Sequence, residues 1–300
     1  MTENYRLCRC KIRKGENKFV WKLTDKCNLN CLHCDDIERK DDLRKELSYE
    51  KSLELVYFLS KFKPLKLVLT GGEPLLKENF HDIAEYAKVK LKNVSLCTNG
   101  LINDSETIEK ILELNFSNIS ISADSDRPKE HDELRGIPGS FEKTKKFVSR
   151  IREHSNDFTI FITLNPLNID RAIETVSYWK GFTPDIEVGT LIERNENFSL
   201  KQIQNYSKKL PEVMKNLMEK HNVTIVGYPN SCFENLCPNG FSLFEISSNG
   251  DFSDCYWKTG AIRKPVAYKK LLKSKDINDL RDNIQQKYLE SKRKEFFSEL

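Results

Sequence analysis

One pattern constrains this chain more than any other. A short apolar run followed by a helical stretch recurs six times before residue 195. Residues 19–23, 65–69, 94–98, 118–122, 158–164 and 186–190 are rich in Val, Ile, Leu, Phe and Thr and read as strands. Between them, helices are predicted over 47–62 with Ser48 as N-cap, over 78–90, from an Asp104 cap to 114, over 141–152, and from an Asp170 cap to 179. When each helix is a crossover, the strands it joins are parallel. Right-handed crossovers curl such a sheet one way, so the expected α/β fold is a partial (β/α)6 TIM-type barrel. A flat doubly wound sheet is the structural rival.

After residue 195 the pattern changes. A polar helix over 200–221 leads to a short run at 223–226. Two further runs, 242–246 and 252–255, flank Ser-Asn-Gly250, a hairpin signal. A basic amphipathic helix is predicted over 277–297. The expected division is therefore 1–195 for the barrel and 196–300 for a small domain of β-hairpin plus helix, with a linker near 193–199. Of the 300 residues 38 % are apolar, enough for a packed core and too many for a disordered chain. Net charge is +4, from 49 basic and 45 acidic residues, which makes no general case for nucleic acid. The segment 263–300, with 11 basic and 6 acidic residues, carries more than the whole of it. A solvated helix face explains that segment; a docking surface for an acidic peptide or RNA is the alternative. No apolar run follows the N-terminus, and the longest apolar stretches are too short to span a bilayer. The expectation is a cytoplasmic protein with no membrane partner.

The 9 cysteines narrow the chemistry. Without an export signal they are expected to be reduced, so their clusters point to metal, to redox work or to nothing. Cys27-Asn-Leu-Asn-Cys31-Leu-His-Cys34 follows the first strand directly. Three thiols on one loop can turn toward a single centre. No fourth ligand lies nearby for a four-cysteine zinc site. The spacing suits a cubane cluster with three thiolates and one iron left open; three unrelated buried thiols is the plain alternative. At these residues the chain resembles the radical S-adenosylmethionine (SAM) superfamily, whose cluster loop has this spacing after the first barrel strand. His33 stands where an aromatic or His commonly precedes the last cysteine.

That resemblance implies further roles. Gly71, Gly72, Glu73 and Pro74 end the second strand, where the family's turn approaches the amino group of the methionine moiety. Alternation turns Ser120, Ser122 and Asp124 inward on the fourth strand. The family binds the ribose there, which maps to Ser122 and Asp124. Asn99, Asn165 and Leu191, at the ends of the third, fifth and sixth strands, complete the expected cofactor-binding set. The stretch from His131 to Phe141 resembles one common in relatives with extra clusters, and there Arg135 would pair with the methionine carboxylate.

Cys237, Gly250 and Cys255 resemble the opening of the SPASM domain, which carries auxiliary iron–sulfur clusters. No further cysteines follow, so the likeness is to the shortened twitch form, with Cys232 as a third ligand. A zinc knuckle lacking a ligand is the rival. Cys97 reads as a lumen or core residue, and Cys8 and Cys10 as exposed thiols, a redox pair or a fourth cluster ligand.

The resemblance implies a [4Fe-4S] cluster held by Cys27, Cys31 and Cys34, SAM on its open iron, one auxiliary cluster, and a 5′-deoxyadenosyl radical that abstracts hydrogen from substrate. A low-potential donor such as flavodoxin or ferredoxin would supply the electron. The first-choice substrate is a peptide or peptidyl side chain, crosslinked, oxidised or epimerised, although the 26 residues before Cys27 are too few for a fused leader-recognition domain. A small polar metabolite such as an aminosugar or cyclitol is the alternative, and a non-catalytic electron carrier the reading from another class.

Overall fold

The structure is a computed structural model that describes residues 17–34, 46–155, 157–191, 197–226, 243–254, 266–267, 271–276 and 279–280. Strands β1 (Lys18–Lys22), β2 (Lys66–Thr70), β3 (Val94–Thr98), β4 (Ile119–Ser122), β5 (Phe158–Leu164), β6 (Ile186–Thr190) and β7 (Thr224–Val226) run parallel in sequence order. Helices α1 (Tyr49–Ser60), α2 (Phe80–Lys90), α3 (Ser105–Glu113), α4 (Pro128–Arg135), α5 (Ser140–His154), α6 (Ala172–Trp179) and α7 (Leu200–His221) make the crossovers. The six expected strands are all present, and the run at 223–226 adds a seventh beyond β6. Among the described residues β7 remains an edge, so the barrel is partial.

Strand alternation sets the two faces. In β1, Phe19 and Trp21 are buried under the helices, while Lys18, Val20 and Lys22 are half-buried on the lumen side. Gly189 on β6 also faces inward: a Cβ there would stand 2.7 Å from the ring of Phe161 on β5. Ser48 caps α1 through the Lys51 N–H, and Asp104 caps α3 through the Thr107 N–H at 2.9 Å, both as expected. Asp170 does not cap α6. A 3-10 turn (Ile169–Arg171) precedes that helix, and Asp170 instead accepts from Lys209 Nζ on α7 at 2.5 Å. Helix α4 was not expected. It has a proline at its start and Gly136 at φ +73° directly after its end, which bound a helix of 8 residues.

The C-terminal part joins the same sheet. Strands β8 (Leu243–Ile246) and β9 (Asp251–Asp254) form the expected hairpin, with Gly250 at φ +82° in its turn. β8 lies parallel against β1, and β10 (Val266–Ala267) extends the edge beyond β9. An aromatic cluster welds this junction. Phe19 stacks on Phe244 at 5.2 Å, and Phe252 meets Phe19 and Phe58 edge-on at 6.3 and 6.1 Å. The helix expected over 277–297 lies almost wholly outside the described residues, as do Cys8, Cys10, Cys232, Cys237 and Cys255. No helix among the described residues is long and apolar enough to cross a membrane.

Phe252 is fully buried. Phe252→Ala is therefore expected to cost ~3–5 kcal/mol in urea unfolding and to expose the hairpin to protease. Unchanged stability with intact protease resistance would mean that the hairpin does not depend on this cluster.

Candidate active site

The segment after β1, residues 23–34, carries Cys27, Cys31 and Cys34 and has almost no regular structure of its own. Its shape comes from backbone contacts on two sides. From β2, Gly72 N–H donates to Thr24 O at 2.8 Å and Glu73 N–H to Lys26 O at 2.7 Å. A Cβ at Gly71 would stand 2.5 Å from Thr24 O, and one at Gly72 2.2 Å from Lys26 O. The close approach these glycines permit is thus to the cysteine loop itself. From α4, Arg135 O and Leu134 O accept from the N–H groups of Asn30 and Leu32, at 3.1 and 2.9 Å. A Cβ at Gly136 would stand 2.4 Å from Asn30 O. Asp132 closes the stretch after α4. It accepts from Gly139 N–H at 2.6 Å and from Ser140 Oγ and Phe141 N–H, both at 2.8 Å, at the start of α5.

Glu73 is fully buried. It accepts from Thr98 Oγ1 and Asn99 N–H, both at 2.8 Å, and from Leu75 N–H at 3.2 Å. Burial still pushes its carboxyl up to about 7, against the pull of these donors and of Arg135. Asn99 Nδ2 donates to Asn28 Oδ1 at 2.7 Å, tying the end of β3 to the cysteine loop. Pro74 is buried beside this carboxylate.

A set of buried charged groups lies against Cys31. Arg135 Nη1 is 3.8 Å from Cys31 Sγ, and Nη2 is 2.8 Å from Asp124 Oδ2. The latter is a close ion pair without the alignment of a hydrogen bond. Asp124 Oδ1 accepts from Thr163 N–H at 2.8 Å. His33 Nε2 is 3.5 Å from Asp124 Oδ2. Burial alone would raise the Asp124 carboxyl; Arg135 foremost, then His33, hold it below the usual carboxylate range. Burial lowers His33 despite Asp124, and lowers His131, whose Nδ1 lies 3.1 Å from Ser140 Oγ, to about 4.

The remaining expected residues sit at the same carboxyl-terminal ends of the strands. Ser122 is half-buried on the lumen face. Asn165 spends its side chain locally, donating to Thr163 O at 3.0 Å and accepting from Leu167 N–H at 2.9 Å. Leu191 is buried, its N–H directed at Leu164 O at 2.9 Å. Cys97 lies opposite Ser120, and burial pushes its thiol up to about 11, as suits an inert lumen residue. Sequence reading missed Asn28, Thr98 and Asp132. Asn28 was visible only as a polar residue between cysteines, and Asp132 only as the neighbour of His131.

These features match known proteins. Residues 21–178 match the model of the radical SAM superfamily, and the chain belongs to it. Over 157 residues it is 31 % identical to the AdoMet-dependent heme synthase of Methanosarcina barkeri, covering 52 % of this chain and 45 % of that one. It is 28 % identical over 157 residues to the mycofactocin maturase MftC of Mycolicibacterium smegmatis, covering 52 % and 40 %. The matched region spans less than half the length of these relatives. The fold resembles that of anSMEcpe crystallised with AdoMet and the Cp18Cys peptide, with a TM-score of 0.65 at 17 % identity over 91 % of this chain and 83 % of that one.

Membership brings a [4Fe-4S] cluster and SAM, and the residues present fit them. Thiolates are the side chains suited to such a cluster. Around the three cysteines, Arg135 Nε and His33 Nδ1 are buried without a hydrogen-bond partner among the described residues.

Two predictions follow from this packing. Gly72→Ala forces the loop off β2, so reconstituted protein should retain several-fold less iron while its far-ultraviolet circular dichroism is unchanged; full iron content would contradict the contact. The second concerns Glu73. Its folded form holds the proton to higher pH than the unfolded chain, so its contribution to stability falls as pH rises from 4.5 to about 7, by at most ~3 kcal/mol. Urea unfolding of apo protein at about pH 5 and about pH 7.5 should show that fall in the wild type and not in Glu73→Gln. Equal pH dependence in both would mean that Glu73 ionises like an exposed carboxylate.

Proposed function

We propose that this chain is a peptide-modifying radical SAM enzyme. Cys27, Cys31 and Cys34 hold the [4Fe-4S] cluster, and Gly71 to Pro74, Asn99, Ser122, Asp124, Arg135, Asn165 and Leu191 surround the SAM site. When bound, cluster and SAM supply reductive carbon–sulfur cleavage and abstraction of hydrogen from an unactivated carbon. The protein's own share is to bind, orient and exclude water. Gly72 and Gly136 hold the cysteine loop by its backbone, and Glu73 fixes the turn of β2 to the end of β3. In the reading of Arg135 as partner of the SAM carboxylate, its Nε, without a partner among the described residues, is a group that can donate.

The observation that carries the peptide reading is the open lumen face. Lys22, Thr70, Ser122, Phe161, Thr163 and Glu187 are only half-buried there, whereas the outer-face residues between them are closed over by helices. Half-buried positions at the carboxyl ends of the strands suit one side chain of a longer polymer. The likeness to a peptide maturase supports this. The likeness to a heme synthase supports a second reading, a carboxylate-bearing tetrapyrrole. The twitch reading gives Cys232, Cys237 and Cys255 an auxiliary cluster.

The test is anaerobic turnover with dithionite and deuterated candidates. Deuterium should pass from a labelled peptide into 5′-deoxyadenosine, and every single Ala variant at Cys27, Cys31 or Cys34 should abolish cleavage. The triple Ala variant at 232, 237 and 255 should drop from about eight irons to about four, each cubane holding four, and still cleave SAM. Transfer only from a tetrapyrrole or a small polyol would overturn the peptide reading. A wild type with about four irons would overturn the auxiliary cluster.

A further inference from the structure

The pair Arg135 and Asp124 asks for an explanation that stability does not provide. Both are buried, at 5 % and 0 % exposure. A buried ion pair is often no better for folding than apolar residues of the same volume. What distinguishes this pair is where it is aimed. The backbone of Arg135 is bound to the loop through Asn30, its Nη2 is fixed by Asp124, and its Nη1 is thereby directed at Cys31 Sγ. Asp124 is itself immobilised: its carboxylate accepts from Thr163 N–H, and its backbone carbonyl accepts from Asn168 Nδ2 at 2.9 Å. His33 Nε2 is the other side-chain nitrogen in reach of Asp124.

We infer that Arg135, aimed by Asp124, is a positioning residue that donates to the Cys31 thiolate and sets the reduction potential of the cluster on this loop. The inference rests on the assignment of Cys27, Cys31 and Cys34 as ligands. It differs from the carboxylate role in giving Arg135 a function before SAM binds. Reduction adds negative charge to the cluster and its thiolates. A cation and an N–H···S contact favour the reduced form and raise the potential; a nearby carboxylate opposes it. The two partners therefore act with opposite sign on one thiolate.

That opposition is the test. The midpoint potential of the full-length holoenzyme is measured without SAM, by an electron paramagnetic resonance titration of the cluster signal that SAM perturbs in the wild type. Arg135→Met should shift the midpoint to more negative values; Asp124→Asn, which keeps a side chain of the same shape with an oxygen to hold Arg135 Nη2 and removes only the negative charge, should shift it to less negative ones; and Arg135→Lys should fall between Arg135→Met and the wild type. A loosened loop would move Arg135→Met and Asp124→Asn in the same direction, which would overturn the proposal, as would unchanged midpoints in both. Unchanged midpoints with weakened SAM binding in Arg135→Met would assign Arg135 to the carboxylate instead. If Arg135→Met does not retain cluster, the direction of the shift in Asp124→Asn alone decides. A SAM-responsive cluster that survives Cys31→Ala would instead remove the ligand assignment, a failure distinct from that of the potential.

Discussion

Backbone packing around the cysteine loop is the contact on which the rest of this site depends. Residues 23–34 have no helix or strand to hold them, yet the loop must present three side chains to one point. It is gripped from β2 by Gly72 and from α4 by Gly136, each so close that a single methyl group would collide with a carbonyl of the loop. Main-chain hydrogen bonds then run outward from the loop on both sides. A loop clamped in this way resists rearrangement more than one held by side chains, because each amide contact must break before the cysteines can move.

The barrel was legible because its signals are local. Period-two alternation, Ser48 and Asp104 as caps, and Gly250 in its turn each act within a few residues, and each element formed where its pattern lies. Asp170 misled because a lysine on α7, distant in sequence, outcompetes the backbone for its carboxylate. Helix α4 was hidden by its eight-residue length and by the polar stretch it occupies.

The candidate site was legible in its residues and less so in their partners. Cys27, Cys31, Cys34 and the Gly-Gly-Glu-Pro turn declare themselves by spacing. Whether Glu73 faces a ligand or Thr98 and Asn99 depends on the register of β2 against β3, which spacing does not contain. Asp124 and Arg135 were each visible as polar residues near strand ends; that they form one buried pair against Cys31 is a property of tertiary packing alone.

The clamps described on the cysteine loop come from positions remote in the chain. Arg135 lies 104 positions after Cys31, and Ser248, which hydrogen-bonds Asp25, lies 223 positions after it. During synthesis the cysteines leave the ribosome long before α4 and β8 exist. A loop without its clamps is an open chain carrying three thiols with no fixed geometry, whose closure entropy has still to be overcome. A cluster site built on this loop is therefore complete only once α4 and β8, translated much later, have packed against it.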